Sequence, residues 1–303
     1  MKIAFLGTGQ MGAPMAERLV DAGLEIAVYD RSPEAMAPLV DRGARGATSV
    51  ADCLAGAEVA FACLPSPEVS RAVALDPGGA IDAGDLKVYV ETSTIGAAAV
   101  EEIDRVLGGK GIAVLDAPVS GGPRGARAGR LTTMVAGRRD AFDSVRPLFD
   151  AMAGNVFYIS ETPGHGQVVK LANNMISAAC MTATSEAAVM AVKAGVDARI
   201  LIDVVNASTG RNGASVDKFP QSVLPRTFDY GGKLSTMYKD VTLCFAEAKR
   251  LDVPMWVGNT VVQLWFQAMC EGRGDDDYTT IVKTIEEFAS GVIVGDPDPA
   301  AGS

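Results

Sequence analysis

The sequence is poor in the residues that build metal centres and disulfide frameworks. It contains one histidine, His165, and five cysteines, none of them in a Cys-x-x-Cys pair. A single histidine excludes a multi-histidine metal site, and an odd number of cysteines argues against a disulfide framework. We therefore expect no metal ion, and we expect small core cysteines in a protein of a reducing compartment. The cysteines are Cys53, Cys63, Cys180, Cys244 and Cys270.

Positive charge is also scarce. Lysine and arginine number 27 against 37 acidic residues, which gives a formal net charge of −10. Binding to nucleic acid or to an anionic membrane surface needs a basic footprint, so neither partner is expected. An acidic total does not exclude a small anionic substrate, because a pocket sets its own local field.

Long apolar runs are missing as well. No uninterrupted run reaches the roughly 18 residues that a membrane-spanning helix requires. Residues 1–6 are expected to form a short strand, since neither their charge nor their apolar stretch suits a secretory signal. The sequence therefore predicts no membrane association and a cytoplasmic location.

The sequence does contain a regular alternation of short apolar runs and helical patterns. Its 303 residues, 48% of them hydrophobic, suffice for one large domain or two ordinary ones. The alternation continues to residue 162 and predicts an α/β domain with a parallel sheet over residues 1–162. Only helical patterns follow, which predicts an all-helical domain for substrate binding and oligomerisation over residues 163–295. Residues 296–303 are expected to be a disordered tail.

A long helix is expected to join the two domains. Residues 168–193 are rich in Ala, Met and Val and are apolar on nearly all sides, which predicts a buried helix. Asp240 is expected to mark the start of a later helix over residues 241–251. Because the long helix is apolar on too many sides for one small domain to cover, we expect a homodimer or a homotetramer.

A glycine-rich turn follows the first strand directly. Residues 3–6 are apolar, and residues 7–12 read Gly-Thr-Gly-Gln-Met-Gly. A helix is expected over residues 10–22, and a second strand over residues 25–29 is followed by Asp30. Strand, glycine turn, helix, strand and acid within this short stretch predict a dinucleotide-binding site.

Each glycine of the turn has a physical role in such a site. Gly7 permits the tight turn, Gly9 lets the backbone approach a pyrophosphate, and Gly12 lets the helix pack close to the strand. Gln10 and Met11 complete the turn at the helix N-terminus, whose N–H groups and dipole favour phosphate. The predicted fold is therefore a Rossmann-type dinucleotide-binding domain, followed by an all-helical domain that is joined to it by a long helix.

Asp30 bears on the choice between NAD and NADP. A carboxylate at the tip of the second strand accepts from the free ribose hydroxyls of NAD and repels the 2′-phosphate of NADP. Arg31 and Ser32 follow, and both can bind a phosphate if Asp30 swings aside. The sequence therefore favours NAD and leaves NADP open.

Two loops follow further predicted strands, at the edge where an open α/β sheet binds its ligand. Leu64 and Pro65 belong to an expected loop over residues 64–67. Thr94 comes just after the next strand. These residues are candidates to line a cofactor, although ordinary loop residues and helix caps occupy such positions as well.

Ser120, Gly121 and Gly122 follow the predicted strand over residues 113–116. A serine and two glycines offer a hydroxyl and unobstructed N–H groups to a carboxylate or an alkoxide. A flexible turn explains the same three residues, so both interpretations stay open at this point.

A lysine lies on an otherwise apolar helix after a second glycine-rich segment. Residues 164–174 read Gly-His-Gly-Gln-Val-Val-Lys-Leu-Ala-Asn-Asn, so Lys170 and Asn174 share a helix face. The glycines are expected to allow close approach to a ligand. A lysine with its ordinary pKa of about 10.4 is a poor base at neutral pH. Desolvation and a positive nicotinamide would lower that pKa and make Lys170 a usable acid and base.

Three motifs together resemble those of the β-hydroxyacid dehydrogenase family, the group of 3-hydroxyisobutyrate dehydrogenase and tartronate semialdehyde reductase. Residues 7–12 resemble its cofactor signature, residues 116–122 (Asp-Ala-Pro-Val-Ser-Gly-Gly) its substrate signature, and residues 164–174 its catalytic signature. The resemblance extends over residues 1–295. It implies an NAD(P)-dependent oxidoreductase that interconverts a small, anionic 3-hydroxy acid and its semialdehyde, and it also implies a homo-oligomer.

The resemblance further implies roles for single residues, with Lys170 as the general acid and base. Contact with the substrate is implied for Ser120, Gly121, Gly122 and Asn174. Contact with the cofactor is implied for Leu64, Pro65, Thr94 and Lys239. Residues 208–211 resemble the segment that closes over the pocket in some members, where Arg211 can pair with a substrate acid, or Arg211 is a surface arginine. Arg124 and Arg127 indicate a second anionic group on the substrate, or they are merely solvated.

Three other functions compete with this one. The 6-phosphogluconate dehydrogenases have a much longer helical domain and a histidine where this chain has Asn173. Imine reductases share the first motif but replace the lysine. A catalytically silent cofactor-binding or interaction module typically lacks the lysine, whereas this chain retains Lys170 together with Ser120 and Asn174.

Overall fold

The computed structural model describes residues 1–296 of the chain. These divide into two compact units, one of residues 1–170 and one that begins at Leu171. The dividing point lies inside the long helix His165–Lys193, which begins in the first unit and ends in the second. The domain bounds at residues 162 and 295 stay a proposal, and residues 297–303 of the expected tail lie outside the described residues.

The first unit contains one mixed sheet. Its strands are β1 (Ile3–Leu6), β2 (Ile26–Tyr29), β3 (Arg45–Gly46), β4 (Val59–Ala62), β5 (Val88–Glu91), β6 (Ala113–Asp116), β7 (Val119–Ser120), β8 (Leu131–Gly137) and β9 (Ala153–Ser160). Their order is β3-β2-β1-β4-β5-β6-β8-β7, with β9 beside β8. The first six strands pair in parallel, β8 is antiparallel to β6 and β7, and β9 is parallel to β8.

The parallel register brings five strand ends to one level. Leu6 pairs with Tyr29 on one side and with Ala62 on the other. Ala62 pairs with Glu91, which pairs with Asp116. The loops after β2, β1, β4, β5 and β6 therefore open side by side, and we call this row the carboxyl edge. Most of the predicted ligand-binding residues of the first unit follow these five strands.

Helices connect the strands of the first unit. They are α1 (Gly12–Asp21), α2 (Pro33–Asp41), α3 (Val50–Leu54), α4 (Pro67–Leu75), α5 (Ala97–Gly108), α6 (Gly122–Arg127) and α7 (Arg139–Met152). The sequence-based prediction lacks α4, although its start has two clear signals. Ser66 accepts a hydrogen bond from the N–H of Val69, and Pro67 occupies the first turn. A serine cap followed by proline is a common helix start.

Alternate residues of the central strands enter two different hydrophobic cores. In β1, Ile3 and Phe5 belong to the core that includes buried residues of α1 and α7. Ala4 and Leu6 belong to a second core, which includes buried residues of α5. All four residues of β1 are buried, so the prediction of a strand buried on both faces is confirmed.

The second unit is helical in its described part, up to residue 296. After α8 (His165–Lys193) come α9 (Ala198–Asn206), α10 (Leu234–Arg250), α11 (Trp256–Cys270) and α12 (Ile281–Phe288), with a π-helical segment at Ala214–Val223. Trp265 is fully buried in its core. The indole N–H donates to Thr182 Oγ1 over 3.2 Å, and the ring stacks on Tyr278 with centroids 6.3 Å apart. The predicted all-helical character of this unit is confirmed.

The predicted start of α10 is wrong. The helix begins at Leu234, and Asp240 lies inside it as a buried residue. The apolar residues Leu234, Met237, Tyr238 and Val241 have the i, i+3, i+4, i+7 spacing of an amphipathic helix, and the prediction overlooked them. An acid such as Asp240 just before an apolar run mimics a helix start.

Helix α8 is less buried than the sequence predicts. Ile176 and Met190 are 64% and 69% exposed, since no element within residues 1–296 covers that side. Among the described residues, α8 alone has the length and hydropathy of a membrane span, and half of its most apolar window is buried. The expectation concerned uninterrupted apolar runs, and uncharged Asn, Ser and Thr interrupt this helix without lowering its mean hydropathy much. A core helix of a globular protein has the same properties.

All five cysteines are free, as expected. Cys53 and Cys244 are buried, and Cys63 and Cys180 are partly buried. The prediction of a core position is wrong for Cys270, which is exposed because it is the last residue of α11.

Candidate active site

The glycine turn between β1 and α1 leaves open space at one position only. Gly7 has φ of +94°, and a Cβ there would lie 2.2 Å from the carbonyl oxygen of Cys63. A Cβ on Gly12 would lie 2.0 Å from the carbonyl oxygen of Gly7, whereas a Cβ on Gly9 would meet no atom within 4 Å. Two glycines are therefore required by packing, and the third faces space that a ligand can enter.

The start of α1 borders this open space. The N–H of Ala13 donates to the carbonyl of Gly9 over 2.9 Å, which is an early helical hydrogen bond of α1. The N–H groups of a first helical turn have no partner within the helix and favour an anion. Gln10 is exposed, and Met11 packs partly against the first core. The turn therefore fits the pyrophosphate site that the sequence predicts.

Asp30 is fixed beside the glycine turn. Its Oδ2 accepts the N–H of Thr8 over 2.8 Å, and its Oδ1 accepts the N–H of Ser32 over 3.0 Å. Arg31, the next residue, is exposed. The carboxylate therefore stands at the carboxyl edge next to the turn, where the sequence predicts contact with a ribose.

The loops after β4 and β5 are hydrogen-bonded to each other. The N–H of Leu64 donates to Ser93 Oγ over 2.6 Å, and Thr92 Oγ1 donates to the carbonyl of Ala62 over 2.7 Å. Pro65 is exposed and Thr94 is half-buried. The structure therefore brings together the two loops that carry the predicted cofactor-lining residues.

A buried carboxyl group, Glu91, lies next to these loops at the end of β5. It is fully buried, and its Oε1 accepts the N–H of Ser93 over 2.9 Å. Burial raises the pKa of Glu91 to about 7, and the negative charge of Asp116 acts in the same direction. The sequence-based prediction does not include Glu91, because an acid at a strand end resembles an ordinary loop residue.

Ser120, Gly121 and Gly122 form an ordered connection between β7 and α6. Ser120 pairs with Thr132 of β8. Gly121 and Gly122 have φ of +129° and +61°, values that favour glycine. Ser120 is half-buried and Gly121 is exposed, so the hydroxyl and the glycine backbone are accessible. The connection is therefore suited to bind an anionic group.

The carboxylate of Asp116, at the end of β6, receives the start of α8. Its Oδ2 accepts the backbone N–H groups of Gly164 over 3.0 Å and of Gln167 over 2.9 Å. A Cβ on Gly166 would lie 2.8 Å from this same oxygen and 2.6 Å from the carbonyl oxygen of Met134. Gly166 thus lets the helix approach Asp116, which corrects the expectation that this glycine serves approach to a ligand.

Gln167 connects α8 to the loop after β5 and to the end of β6 at once. It is fully buried. Its Oε1 accepts the N–H groups of Ile95 over 2.9 Å and of Gly96 over 3.0 Å. Its Nε2 donates to the carbonyl of Ser93 over 3.0 Å and to Asp116 Oδ1 over 2.8 Å. Sequence reasoning missed Gln167, since its partners are distant in the chain.

Lys170 follows Gln167 by three residues on α8. Its side chain is only 8% exposed, which agrees with the expected lysine on a buried stretch of helix. Lysine is seldom buried to this degree without a partner or a function. Because Gln167 fixes this part of α8 to residues 93–96, Lys170 lies in the helical turn next to the Thr94 loop.

In the second unit, Asn174 is joined to Lys239 through Asp240. The Nδ2 of Asn174 donates to Asp240 Oδ2 over 2.7 Å, and Lys239 Nζ forms an ion pair with Asp240 Oδ1 at 3.0 Å. Asp240 is buried and fixes the direction of the Asn174 amide. The sequence singled out both partners, but it missed Asp240 because that residue resembled a helix start.

The predicted substrate arginines are all exposed. Arg211 lies between α9 and the π-helical segment, and Arg124 and Arg127 lie on α6. A different cation of the second unit, Lys218, is buried and donates to the carbonyl of Gly213 over 3.2 Å. Burial lowers the pKa of Lys218. The structure thus contains a second buried lysine that the sequence analysis did not consider.

Two family models match the chain. One, described as the NAD binding domain of 6-phosphogluconate dehydrogenase, matches residues 2–160. The other, described as NAD-binding of NADP-dependent 3-hydroxyisobutyrate dehydrogenase, matches residues 164–285. The 3-hydroxyisobutyrate dehydrogenase of Pseudomonas aeruginosa is 35% identical over 284 residues, which cover 90% of this chain and 95% of that protein. The chain belongs to the β-hydroxyacid dehydrogenase family.

Two further comparisons cover nearly the whole chain. The NAD-dependent L-serine dehydrogenase of Pseudomonas aeruginosa is 36% identical over 296 residues, which cover 94% of this chain and 98% of that protein. The solved structure of Mycobacterium tuberculosis 3-hydroxyisobutyrate dehydrogenase with L-serine has a TM-score of 0.85 at 30% identity, and the match covers 94% of this chain and 98% of that one. The predicted family and fold class are therefore confirmed.

Family membership makes the first unit an NAD(P)-binding domain, as predicted. The residues at the carboxyl edge fit this cofactor, because the space beside Gly9 at the start of α1 is open and Asp30 stands next to it. Residues 1–296 contain no group of three or more His, Cys, Asp or Glu side chains placed to hold a metal ion.

The raised pKa of Glu91 leads to a prediction about stability. Its folded-state pKa is about 7 against an ordinary 4.5, so the native protein binds more protons than the unfolded chain between these values. Glu91 therefore lowers the unfolding free energy as the pH rises from about 5 to about 8. We expect Glu91→Gln to raise the melting temperature relative to wild type more at the higher pH, measured by calorimetry.

The matched control is Glu161→Gln, at an exposed position between β9 and α8. It should shift the melting temperature equally at both pH values. An equal shift for Glu91→Gln would show that Glu91 is not a source of the pH dependence.

Proposed function

We propose that the protein oxidises a small 3-hydroxy acid to its semialdehyde, and catalyses the reverse reduction, with NAD(P) as cofactor. The observation that carries this proposal is Lys170, a lysine 8% exposed on a helix whose start is bonded to the edge of an NAD(P)-binding domain. Two relatives are named for 3-hydroxyisobutyrate and for L-serine. Both compounds are small 3-hydroxy acids, and we extend this substrate class to the present chain.

We assign the substrate carboxylate to the turn formed by Ser120, Gly121 and Gly122. The accessible serine hydroxyl and the glycine backbone support this assignment, because they offer donors without side-chain obstruction. For the second unit we propose substrate-binding roles for Asn174, whose amide is directed by Asp240, and for the exposed Arg211.

Lys170 acts as the general acid and base in this proposal. In oxidation its neutral Nζ accepts the proton of the substrate hydroxyl, while the hydrogen on the carbon that bears this hydroxyl leaves as a hydride. The bound nicotinamide supplies the hydride acceptor, or the donor in the reverse direction. In reduction the Lys170 ammonium returns the proton to the carbonyl oxygen. Proton transfer by a positioned side chain typically contributes about 10²- to 10⁴-fold to the rate.

Replacement of Lys170 tests the assignment. Lys170→Ala should lower kcat by about 10²- to 10⁴-fold, because proton transfer to the side chain is lost. The Kd for the reduced cofactor should change by less than about threefold, since the change affects a step after binding. Turnover is measured by absorbance of the reduced cofactor, and the Kd by its fluorescence.

Two further variants serve as controls for Lys170→Ala. Lys170→Arg keeps a positive charge but cannot act as a base, so it should lose activity to a similar extent. Lys218→Met removes the buried lysine of the second unit and should keep kcat within about twofold, as sites without a role in a reaction step usually do. Turnover like that of wild type in Lys170→Ala would refute the proposed mechanism.

We propose NAD as the preferred cofactor and NADP as the alternative. The position of the Asp30 carboxylate next to the glycine turn supports this preference, since a negative charge there disfavours a 2′-phosphate. The other residues that we assign to the cofactor are Gly7, Gly9, Gln10, Met11, Gly12, Arg31, Leu64, Pro65, Thr94 and Lys239.

Two substitutions of Asp30 separate its charge from its hydrogen bonds. Asp30→Asn retains an acceptor for Thr8 but loses the charge, and Asp30→Ala loses both. Both should lower the ratio of kcat/KM for NAD to that for NADP, by about tenfold or more, because specificity includes repulsion of the wrong ligand. Asp41→Asn, at the exposed end of α2, is the control. An unchanged ratio in both Asp30 variants would contradict the role of Asp30.

A different class of function remains as the second candidate. The chain would then be a catalytically silent NAD(P)-binding or interaction module, or an imine reductase. The retention of Lys170, Ser120 and Asn174 favours the dehydrogenase. A panel of 3-hydroxy acids, semialdehydes and cyclic imines with both cofactors discriminates these functions, since cofactor binding without any turnover would favour the silent module.

We propose that the protein is a homodimer or a homotetramer through its second unit. The described part of that unit exposes twelve large apolar side chains, against four in the first unit. The twelve are Ile176, Met190, Val196, Ile200, Val204, Leu251, Val253, Trp256, Val257, Phe266, Phe288 and Ile293. Contiguous apolar surface usually marks an interaction site, and Ile176 and Met190 lie on the same exposed side of α8. We also propose a cytoplasmic location, which cell fractionation would test.

A charge placed on the exposed side of α8 tests the oligomer. Met190→Glu should convert the oligomer to smaller species at micromolar concentration, because a charge in an apolar interface is left desolvated and unpaired. Val40→Glu also replaces an exposed apolar residue by glutamate, but in the first unit, and should leave the mass of the oligomer unchanged. Sedimentation velocity measures both, and a monomeric wild type would overturn the proposal.

A further inference from the structure

We propose that Gln167 and Asp116 are positioning residues that set Lys170 against the backbone of residues 93–96. The inference rests on the proposed role of Lys170 as acid and base. Neither residue is assigned contact with substrate or cofactor. They act through the start of α8, which carries the lysine, and every contact in the argument lies within the first unit.

The amide of Gln167 uses its full hydrogen-bonding capacity in one buried place. It accepts from two backbone N–H groups, those of Ile95 and Gly96, and donates to Ser93 O and Asp116 Oδ1, over 2.8–3.0 Å. A glutamine has two acceptor lone pairs and two N–H donors, so all four are satisfied. Such an amide cannot rotate or shift without losing several bonds together, and it therefore fixes α8 relative to the Thr94 loop.

Asp116 fixes the same helix from the other direction. Its Oδ2 accepts from the first-turn N–H groups of Gly164 and Gln167, and it can approach them because Gly166 has no side chain. These N–H groups have no partner within the helix, and the helix dipole favours a negative charge at this end. Asp116 therefore fixes the position and the direction of the first turn of α8.

Lys170 is sensitive to both residues because it comes only three positions after Gln167. A small displacement of the first turn moves the Cα of Lys170 with it, since the helix between them is rigid on this scale. A misplacement of about 1 Å at a reacting group can cost about 10²-fold in rate. Gln167 and Asp116 should therefore affect kcat far more than cofactor binding.

The chemistry of the site requires an amide at position 167 and an acid at position 116. A carboxylate at 167 would place an oxygen against Ser93 O and Asp116 Oδ1, both acceptors that now lie within 3.0 Å of Nε2. The double variant Asp116→Asn/Gln167→Glu exchanges the two groups. In it, the amide introduced at position 116 can donate to the new carboxylate at position 167 and still accept from the helix N–H groups.

The exchange defines the first experiment. Gln167→Glu and Asp116→Asn should each lower kcat by about 10- to 100-fold, and the double variant should be more active than either single variant. Single variants with the kcat of wild type, or a double variant with the product of the two losses, would overturn the proposal. Gln267→Ala, an exposed hydrogen-bonded glutamine of α11, should leave kcat unchanged.

The second experiment asks whether Gln167 acts through Lys170. Gln167→Ala should lower kcat by about 10- to 100-fold in the wild-type background, yet by less than about twofold in the Lys170→Ala background, because residues that act as a unit are not additive. The Kd for the cofactor should stay within about threefold in each variant. An equal loss in both backgrounds would show a merely structural role and overturn the inference.

If Gln167→Ala does not fold, the pH dependence of Gln167→Glu decides the question. A protonated glutamic acid is nearly isosteric with glutamine and regains a donor, and the neighbouring carboxylate favours its protonation. The ratio of its kcat to that of wild type should therefore rise as the pH falls from about 8 to about 6. A constant ratio would overturn the proposal.

These outcomes separate this inference from the proposed function. Full activity in Lys170→Ala would overturn both. Loss of activity in Lys170→Ala together with the kcat of wild type in Gln167→Ala would overturn the positioning role alone.

Discussion

A buried carboxylate holds the start of helix α8 to the edge of the sheet. Asp116 ends β6, and its oxygens accept from the backbone of Gly164 and from both the backbone and the side chain of Gln167. Hydrogen bonds to an ionised group in a low-dielectric environment are strong, and they also fix direction. The orientation of α8, and with it the position of Lys170, therefore depends on this group. Asp116 holds this position because the register of the sheet pairs it with Glu91 of β5.

The same register places two acids side by side in the interior. Burial raises the pKa of Asp116 to about 6 and that of Glu91 to about 7. Hydrogen bonds from Gln167, Gly164 and Gly166 favour the ionised form of Asp116 and partly oppose the effect of burial. The hydrogen bonds from the start of α8 favour a negative charge on Asp116, and that charge in turn raises the pKa of Glu91. The negative charge thus lies at the N-terminus of α8, where the helix dipole favours it.

Most of the fold could be predicted from the sequence because its signals are local. The apolar run of β1, the glycine turn and Asp30 lie close together in the chain and specify strand, turn, helix and strand. The start of α10 was also signalled locally, by the helical spacing of Leu234, Met237 and Val241, but Asp240 resembled a helix cap. Helix α4 is a similar case, since Ser66 and Pro67 signal its start within the sequence itself.

The residues of the candidate site also differ in whether the sequence could predict them. Lys170 could be singled out because a lysine on an apolar helix is unusual in any context. Gln167 and Asp116 are 51 residues apart, and Asn174 and Asp240 are 66 apart, so no local pattern identifies their pairing. The motif of residues 164–174 therefore contains a residue that orients the helix, Gln167, and a residue that performs the proposed chemistry, Lys170. A relative that keeps Gln167 but has lost the lysine would retain this edge of the sheet without the base. The residue at position 170 is thus the better guide to activity, and the residue at position 167 the better guide to geometry.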